Sequence, residues 1–450
     1  MYKRYIKYKE TGLYWLGSIP AHWEIRKPKQ LGIGLDPIVQ TGPFGAQLHA
    51  SDYVDEGVPL ILIGNVGIRE FITDRIPKIS SGDAARLSTY LVRKGDIVFS
   101  RVGSIGRMAV VTEEQSGWMI SGQMLRLRMS HRKIDPRYAS YVLGDSSVKS
   151  FFQLNQVGST RDSINTSILS NVPFPYPPLN EQNKINEFLD NKVSNINALI
   201  EKKRRLIELL QEKRTALITR AVTKGLDPDA PMKDSGVEWL GEIPAHWEVL
   251  KLKYLSNESL KYGANEAAEF TNEDWPRFIR ITDIRDDGTL REDTKKTLSL
   301  EVAQEYFLLS GDILFARSGA TVGKTFLFDG DNESACYAGY LIRFRPIENR
   351  IIPKYLALFT RSICYARWRD GILIQATIQN ISAEKYGNLQ IPIPTLNEQR
   401  SILAMLEGQL NNLDLIVGLC EQAISRFEEY RSSLISHAVT GKIDVRGEGS

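Results

Sequence analysis

Two patterns of apolar and polar positions alternate along this chain. Short apolar runs punctuated by Gly, Pro, Asn and Asp make up the first, as in residues 58–66 (VPLILIGNV), 95–101 (GDIVFSR) and 311–317 (GDILFAR). Runs of this kind between turn residues predict short strands joined by tight turns. Helical stretches lie among them at 135–152 and 353–369, so these regions read as α+β domains. The second pattern follows the proline-rich stops PFPYPPLN and IPIPTLN. Apolar residues there recur at heptad-like spacing: Leu189, Val193, Ile196, Ile200, Ile207, Leu210 and Leu217, then Leu406, Leu410, Leu413, Val417, Ile424, Phe427 and Leu434. Such spacing suits a coiled-coil seam. Lys203 interrupts the first stripe where Cys420 continues the second. Asn180 and Asn397, each followed by Glu, are the expected helix N-caps. A helix of about 40 residues is roughly 60 Å long and overhangs a domain of this size, so the two stripes are expected to bury each other.

Both patterns occur twice in the same order. GLYWLGSIPAHWE (12–24) returns as GVEWLGEIPAHWE (236–248), with ten of thirteen residues identical. KGDIVFSRVGSIGR (94–107) returns as SGDILFARSGATVGK (310–324), PFPYPPLNEQ (173–182) as QIPIPTLNEQ (390–399), and ALITRAVTKGLD (216–227) as SLISHAVTGKID (433–444). A period near 217 residues is far too long for a solenoid repeat. It describes one domain plus one helix, duplicated: a domain at 1–179, a helix at 180–222, a polar linker at 223–235, a second domain at 236–396, a second helix at 397–443 and a tail at 444–450, of which RGEGS is expected to fray. Antiparallel pairing of the helices would give approximate two-fold symmetry, with the domains at opposite ends of a rod.

Composition narrows the function classes without choosing among them. Hydrophobic residues make up 42% and charged residues 25%, as in ordinary globular proteins. No apolar run reaches the roughly 18 residues of a membrane span, and MYKRYIKYKE lacks the apolar centre of a secretory signal. These features, with three cysteines (Cys336, Cys364, Cys420) that lack metal-ligand spacing, predict a cytoplasmic protein with buried thiols. The net charge of +3 gives no bulk support for nucleic-acid binding. Any such case rests on where the arginines fall.

The catalytic motifs fail one by one. SGATVGKT (318–325) has Ser318 where a P-loop needs its first Gly, and the first copy, VGSIGRM, has no Lys-Thr. YPPL (176–179) lacks the flanking residues of a methyltransferase N-P-P-Y loop, and LGIGLD (31–36) has too few glycines for a cofactor loop. Asp293 and Lys295 echo a nuclease D-x-K without its preceding acid, and the other copy lacks them. His22 and His246 sit beside tryptophans, where packing is the expected role. The arginines recur instead. Arg101 and Arg317 follow the GDI strands; Arg126 and Arg128 in LRLR match Arg343 and Arg345 in IRFR. Alternation puts each of the latter pairs on one strand face, and arginines beside Gly-rich turns suit phosphate and guanine contacts. The basic run EKKRR (201–205) is expected to be a solvated helix face.

On these residues the chain resembles the specificity subunits of type I restriction–modification enzymes. The WLG-IPAHWE opening, the GDI-F-R-G turn, the P-L-NEQ helix start and the AVT helix end carry the likeness, twice and in order. The resemblance implies two tandem target-recognition domains, each followed by a spacer helix, with the helices forming an antiparallel coiled coil. Each domain would read one half of a split site in double-stranded DNA. It further implies that the chain has no catalysis or cofactor of its own. Two DNA adenine methyltransferase subunits would bring S-adenosylmethionine, and restriction/translocase subunits would bring ATP and Mg. Expected DNA contacts are Arg101, Arg107, Arg126, Arg128 and Arg161 in the first copy, and Arg317, Lys324, Arg343, Arg345, Gln375 and Gln379 in the second. TGPFGAQLHASDY (41–53) has no close counterpart in LKYGANEAAEF (260–270), so the two half-sites should differ. The low net charge predicts weak DNA binding by the chain alone.

Overall fold

The computed structural model describes every residue except 1, 35, 102–105, 156–163, 286–287, 320, 331–333, 375–378 and 448–450. The chain forms two compact units. One comprises Met1–Lys203 with Gln422–Ser450, the other Arg204–Glu421. Both divisions fall inside long helices, Leu179–Lys224 and Leu396–Val439, so each unit holds one α+β domain and part of each helix.

In the first unit, a four-stranded antiparallel sheet is ordered Val39–Thr41, Met124–Leu127, Ile97–Ser100, Met108–Val110. Both Ile97–Ser100 and Met124–Leu127 are buried on both faces, which explains why IVFS reads as a continuous run. A second sheet orders Met119–Ile120, Val58–Ile61, Lys78–Ile79 and Tyr53–Val54. Tyr8–Glu10 pairs with Ser18–Pro20, and Glu24–Arg26 with Phe174–Tyr176. The second unit repeats the plan. Its main sheet runs Lys261–Tyr262, Leu341–Phe344, Ile313–Ala316, Thr325–Leu327. A parallel pair joins Arg277–Ile279 to Ala335–Tyr337, and Glu248–Lys251 pairs with Gln390–Ile393. Gly95 and Gly311, which open the GDI strands, have φ of +84° and +93°. At both positions the positive φ favours glycine.

The helices are antiparallel within each unit. In the first, Leu189, Ile196 and Ile200 share one buried cluster with Leu434, Ala438 and Val439, flanked by half-buried Val193, Ile424 and Phe427. Arg431 donates to Asn197, and Lys184 to the carbonyl of Arg446. In the second, Leu406, Leu410 and Leu413 are buried with Ile218 and Val222, and half-buried Leu210 and Leu217 pack on them. There Arg214 pairs with Asp414. An offset of 217 carries Asn197 to Asp414 and Arg214 to Arg431, so the register is the same in both units. Ile207 and Val417 are half-buried and Cys420 is buried.

Several boundaries differ from expectation. The helices begin one residue early, at Leu179 and Leu396, so Asn180 and Asn397 lie inside the first turn. Thr395 is the cap: its hydroxyl donates to Glu398 at 2.8 Å and accepts from the Glu398 amide. The stretch 223–235 is more than a linker, because Met232–Asp234 pairs with Glu242–Pro244. Helix 135–152 is two helices, Pro136–Leu143 and Ser146–Leu154, with Asp145 capping the second. The helical stretch 353–369 likewise divides into Pro353–Phe359 and Ile363–Ile374. The tail is anchored at its described residues: Val445 is buried, and the Arg446 guanidinium lies 4.8 Å from the Tyr5 ring centre.

Candidate nucleic-acid interface

The repeated motifs form a clasp that fixes each domain to a helix start. Glu181, in the first turn of its helix, accepts from Trp23 Nε1 at 2.9 Å and Tyr5 Oη at 3.2 Å, and lies 2.7 Å from His22 Nε2. Glu398 is 2.6 Å from His246 Nε2 and accepts from Trp247 Nε1 at 3.2 Å. A carboxylate also complements the positive end of a helix. The neighbouring glutamines complete the clasp. Gln182 accepts from the Asp135 amide and donates to Pro177 O; Gln399 accepts from the Ile352 amide and donates to Pro394 O. Tyr138 donates to the carbonyls of Pro175 and Val439, and Tyr355 to those of Pro392 and Val222. Both histidines are thus engaged by helix carboxylates and stand in the frame.

Four of the expected DNA contacts prove to be structural. Arg128 forks onto Asp96, at 2.8 and 2.7 Å, and Arg345 forks onto Asp312 at the same distances. The aspartates are those of the two GDI motifs, so GDI and the second arginine of LRLR or IRFR serve each other. Arg126 donates to Thr89 O and Gln40, and Arg343 to Phe307 O and Glu258. Arg126 is 1% and Arg343 4% exposed. Burial, together with the charge of Arg128, pulls the Arg126 guanidinium down to about 10. Alternation did place each pair on one face, but that face is covered by the 88–91 and 307–309 turns rather than open to solvent. Arg126, Arg128 and Arg343 are buried with their hydrogen bonds made inside the protein, and Arg345, 23% exposed, is spent on Asp312 and Glu258, so none of the four presents a free guanidinium to DNA.

Arg101 and Arg317 stand differently. The Arg101 amide donates to Gln123 O and its carbonyl accepts from Ile164 N; Arg317 repeats this with Tyr340 O and Ile381 N. The backbone is therefore held at both polar groups in each unit, while the side chain is half-buried. Each guanidinium faces an exposed aromatic ring: Arg101 lies 5.1 Å from the Phe44 ring centre and Arg317 lies 4.6 Å from that of Tyr262. Phe44 is 49% and Tyr262 40% exposed. These rings were not singled out from the sequence; the signal was an aromatic residue beside Gly in TGPFG and LKYGA. The two loops also share one position. Gly42 and Gly263 correspond, each with a backbone carbonyl within 2.5 Å of where a Cβ would be. Arg107 and Lys324 are half-buried just before the next strand of their sheets, and Gln379 is exposed. Arg161 and Gln375 lie outside the described residues.

The rejected motifs have plain structural roles. Residues 318–324 connect antiparallel strands Ile313–Ala316 and Thr325–Leu327 through the Lys324 amide to Thr321 O bond. A phosphate loop instead runs from strand to helix. Lys202, Arg204 and Arg205 are exposed, with Arg205 2.7 Å from Glu208. Cys336, Cys364 and Cys420 are buried and free, and burial pushes the Cys336 thiol up to about 12. Among the described residues, no cluster of His, Cys, Asp or Glu could hold a metal, and no helix is long and apolar enough to cross a membrane.

Both units thus carry the same clasp and the same arginine–aromatic pair. The type I restriction modification DNA specificity domain matches residues 51–209 and 244–422, and the chain belongs to that family. It is similar to the putative type I restriction enzyme MjaX specificity subunit of Methanocaldococcus jannaschii, 24% identical over 96% of each chain. The EcoBI specificity subunit of Escherichia coli is 22% identical over 92% of this chain and 86% of that one. The fold is shared with the HsdS subunit of Thermoanaerobacter tengcongensis, with a TM-score of 0.52, 15% identity and coverage of 96% and 100%. A chain from a structure describing assembly and conformational transition of the type I R-M system aligns with a TM-score of 0.64, 16% identity and coverage of 96% and 99%.

Proposed function

We propose that this chain is the DNA-recognition subunit of a type I restriction–modification complex, and that each unit reads one half of a bipartite, asymmetric site. The observation that carries this reading is the duplication itself. One clasp and one arginine position recur in both units, while the loops around them differ. The shared clasp holds; the divergent loops, and the arginine they surround, carry contacts to the DNA. The chain supplies no chemistry. Adenine methylation belongs to two methyltransferase subunits with S-adenosylmethionine, and cleavage to restriction subunits using ATP and Mg. Docking falls to the helices, whose exposed residues Leu199, Leu206, Leu209, Leu415, Ile416 and Leu419 are apolar surface that a helix in water does not need.

The test is a genome-wide map of methylated adenines, in a host carrying this gene beside its methyltransferase gene and in a control lacking this gene alone. Loss of one asymmetric bipartite motif supports the reading; an unchanged map, together with no specific DNA binding by the purified complex, overturns it. Arg101→Ala and Arg317→Ala should weaken DNA binding and leave subunit assembly intact.

A further inference from the structure

In both units the guanidinium at the end of the GDI strand stacks beside an aromatic ring, but the ring comes from different backbone positions. Tyr262 lies in the edge strand opposite Ile342. The residue in that place in the first unit is Thr41, opposite Leu125. Thr41 has no ring, and Phe44, three residues on, reaches Arg101 instead. The Tyr262 ring is also pinned, because its hydroxyl accepts from the Ala383 amide at 3.0 Å. Two divergent loops thus deliver the same contact to the same arginine.

The surroundings separate these arginines from the buried ones. Among the described residues no carboxylate pairs with Arg101 or Arg317, whereas Arg128, Arg343 and Arg345 each hold one and Arg126, which does not, is 1% exposed and bonded to Thr89 O and Gln40. An aromatic ring occupies a guanidinium's flat face and leaves its in-plane N–H groups available. Those groups form the fork that matches O6 and N7 of guanine in the major groove. A side chain held on a ring also loses less rotamer freedom on binding.

Resting on the DNA-recognition reading, we propose that Phe44 and Tyr262 are positioning residues that present Arg101 and Arg317 to a guanine, one in each half of the target. Each arginine reads one base pair of its own half-site, and the ring sets how strongly guanine is preferred.

The experiment uses the full chain assembled with its methyltransferase subunits and a DNA library randomised across both half-sites, with preference measured position by position. Arg101→Ala should relax one guanine position in one half by roughly 5- to 150-fold. Phe44→Leu, which keeps apolar bulk but removes the ring face, should relax that same position by roughly two- to fivefold, and Phe44→Tyr should restore it. Arg317→Ala and Tyr262→Leu should do the same in the other half alone. The proposal is overturned if Phe44→Leu leaves every position unchanged, if it weakens both halves equally as a structural defect would, or if the position sensitive to Arg101 is not guanine. A wild-type complex with no bipartite preference would instead overturn the DNA-recognition reading on which it rests.

Discussion

The two clasps use the same helix carboxylate in different surroundings. Glu181 has a side chain only 7% exposed, surrounded by Tyr5, His22, Trp23 and Arg446. Glu398, 37% exposed, has His246, Trp247 and its own helix cap Thr395. In the first unit, residues near positions 3–5 and 444–446 close over the helix start, with the Asp444 amide donating to Lys3 O. In the second, the chain runs on from the helix through residues 225–234, and among the described residues no tyrosine or arginine bonds Glu398. The difference teaches that the His–Trp–Glu core is the common element, while coverage depends on which segment passes by. Near-identical motifs therefore need not have equal burial or equal electrostatics.

The largest effects should separate the units through their buried ion pairs. Arg128→Ala leaves Asp96, 3% exposed, without its partner, and should destabilise the first unit by about 3–5 kcal/mol. Arg345→Ala also strands a buried carboxylate, Asp312 at 1% exposed, but should cost less, because Arg345 is itself 23% exposed and the space it leaves opens to water. Denaturant unfolding read by hydrogen exchange in each unit checks both; equal losses would mean that burial does not set the difference.

Next comes the helix seam. Ile200 and Val417 are equivalent positions, yet Ile200 is 3% exposed and Val417 only half-buried. Ile200→Asp forces a charge into an apolar cluster and should cost roughly 3–5 kcal/mol, with Val417→Asp about half that. Leu210→Asp, also at a half-buried seam position, should disturb the helix pair and subunit assembly together.

A subtler contrast lies in pH. Burial raises the Glu398 carboxyl, but hydrogen bonds from His246, Thr395 and Trp247 outweigh it and bring the group down to about 2. A carboxyl depressed on folding contributes stability that is complete above its ordinary 4.5 and disappears as pH falls toward about 2. Amide protection in the second unit should fall through that window, and Glu398→Gln should flatten that part of the profile. The smallest effect belongs to Arg446→Ala. Arg446 is 42% exposed, so loss of its contacts with Asp444, Glu181 and the Tyr5 ring is screened by water and should be within about 1 kcal/mol by thermal unfolding.

Much of the architecture was legible because the duplication supplied its own check. The seam stripe predicted two paired helices, and all fourteen of its positions are buried or half-buried. Legibility stopped at the arginines. LRLR and IRFR read as polar faces because alternation separates two faces but does not say which of them water reaches. Asp96 and Asp312, some 30 residues upstream, took Arg128 and Arg345, and spacing along the chain carries no signal of that pairing. Phe44 and Tyr262 were hidden for the opposite reason: a lone aromatic beside glycine looks like any turn until the fold brings it over an arginine.

The sequence by itself determined the twofold plan, the strand and helix types, the helix seam and the family resemblance. Each depends on local periodicity or on motifs that recur at a constant offset. Only the tertiary structure decided which charges are spent inside. Pairing across tens of residues depends on strand register and on the turns that cover a sheet face. It also decided that the opening tryptophans and the NEQ glutamates are one clasp, since residues 23 and 181, or 247 and 398, meet only when the domain closes onto its helix.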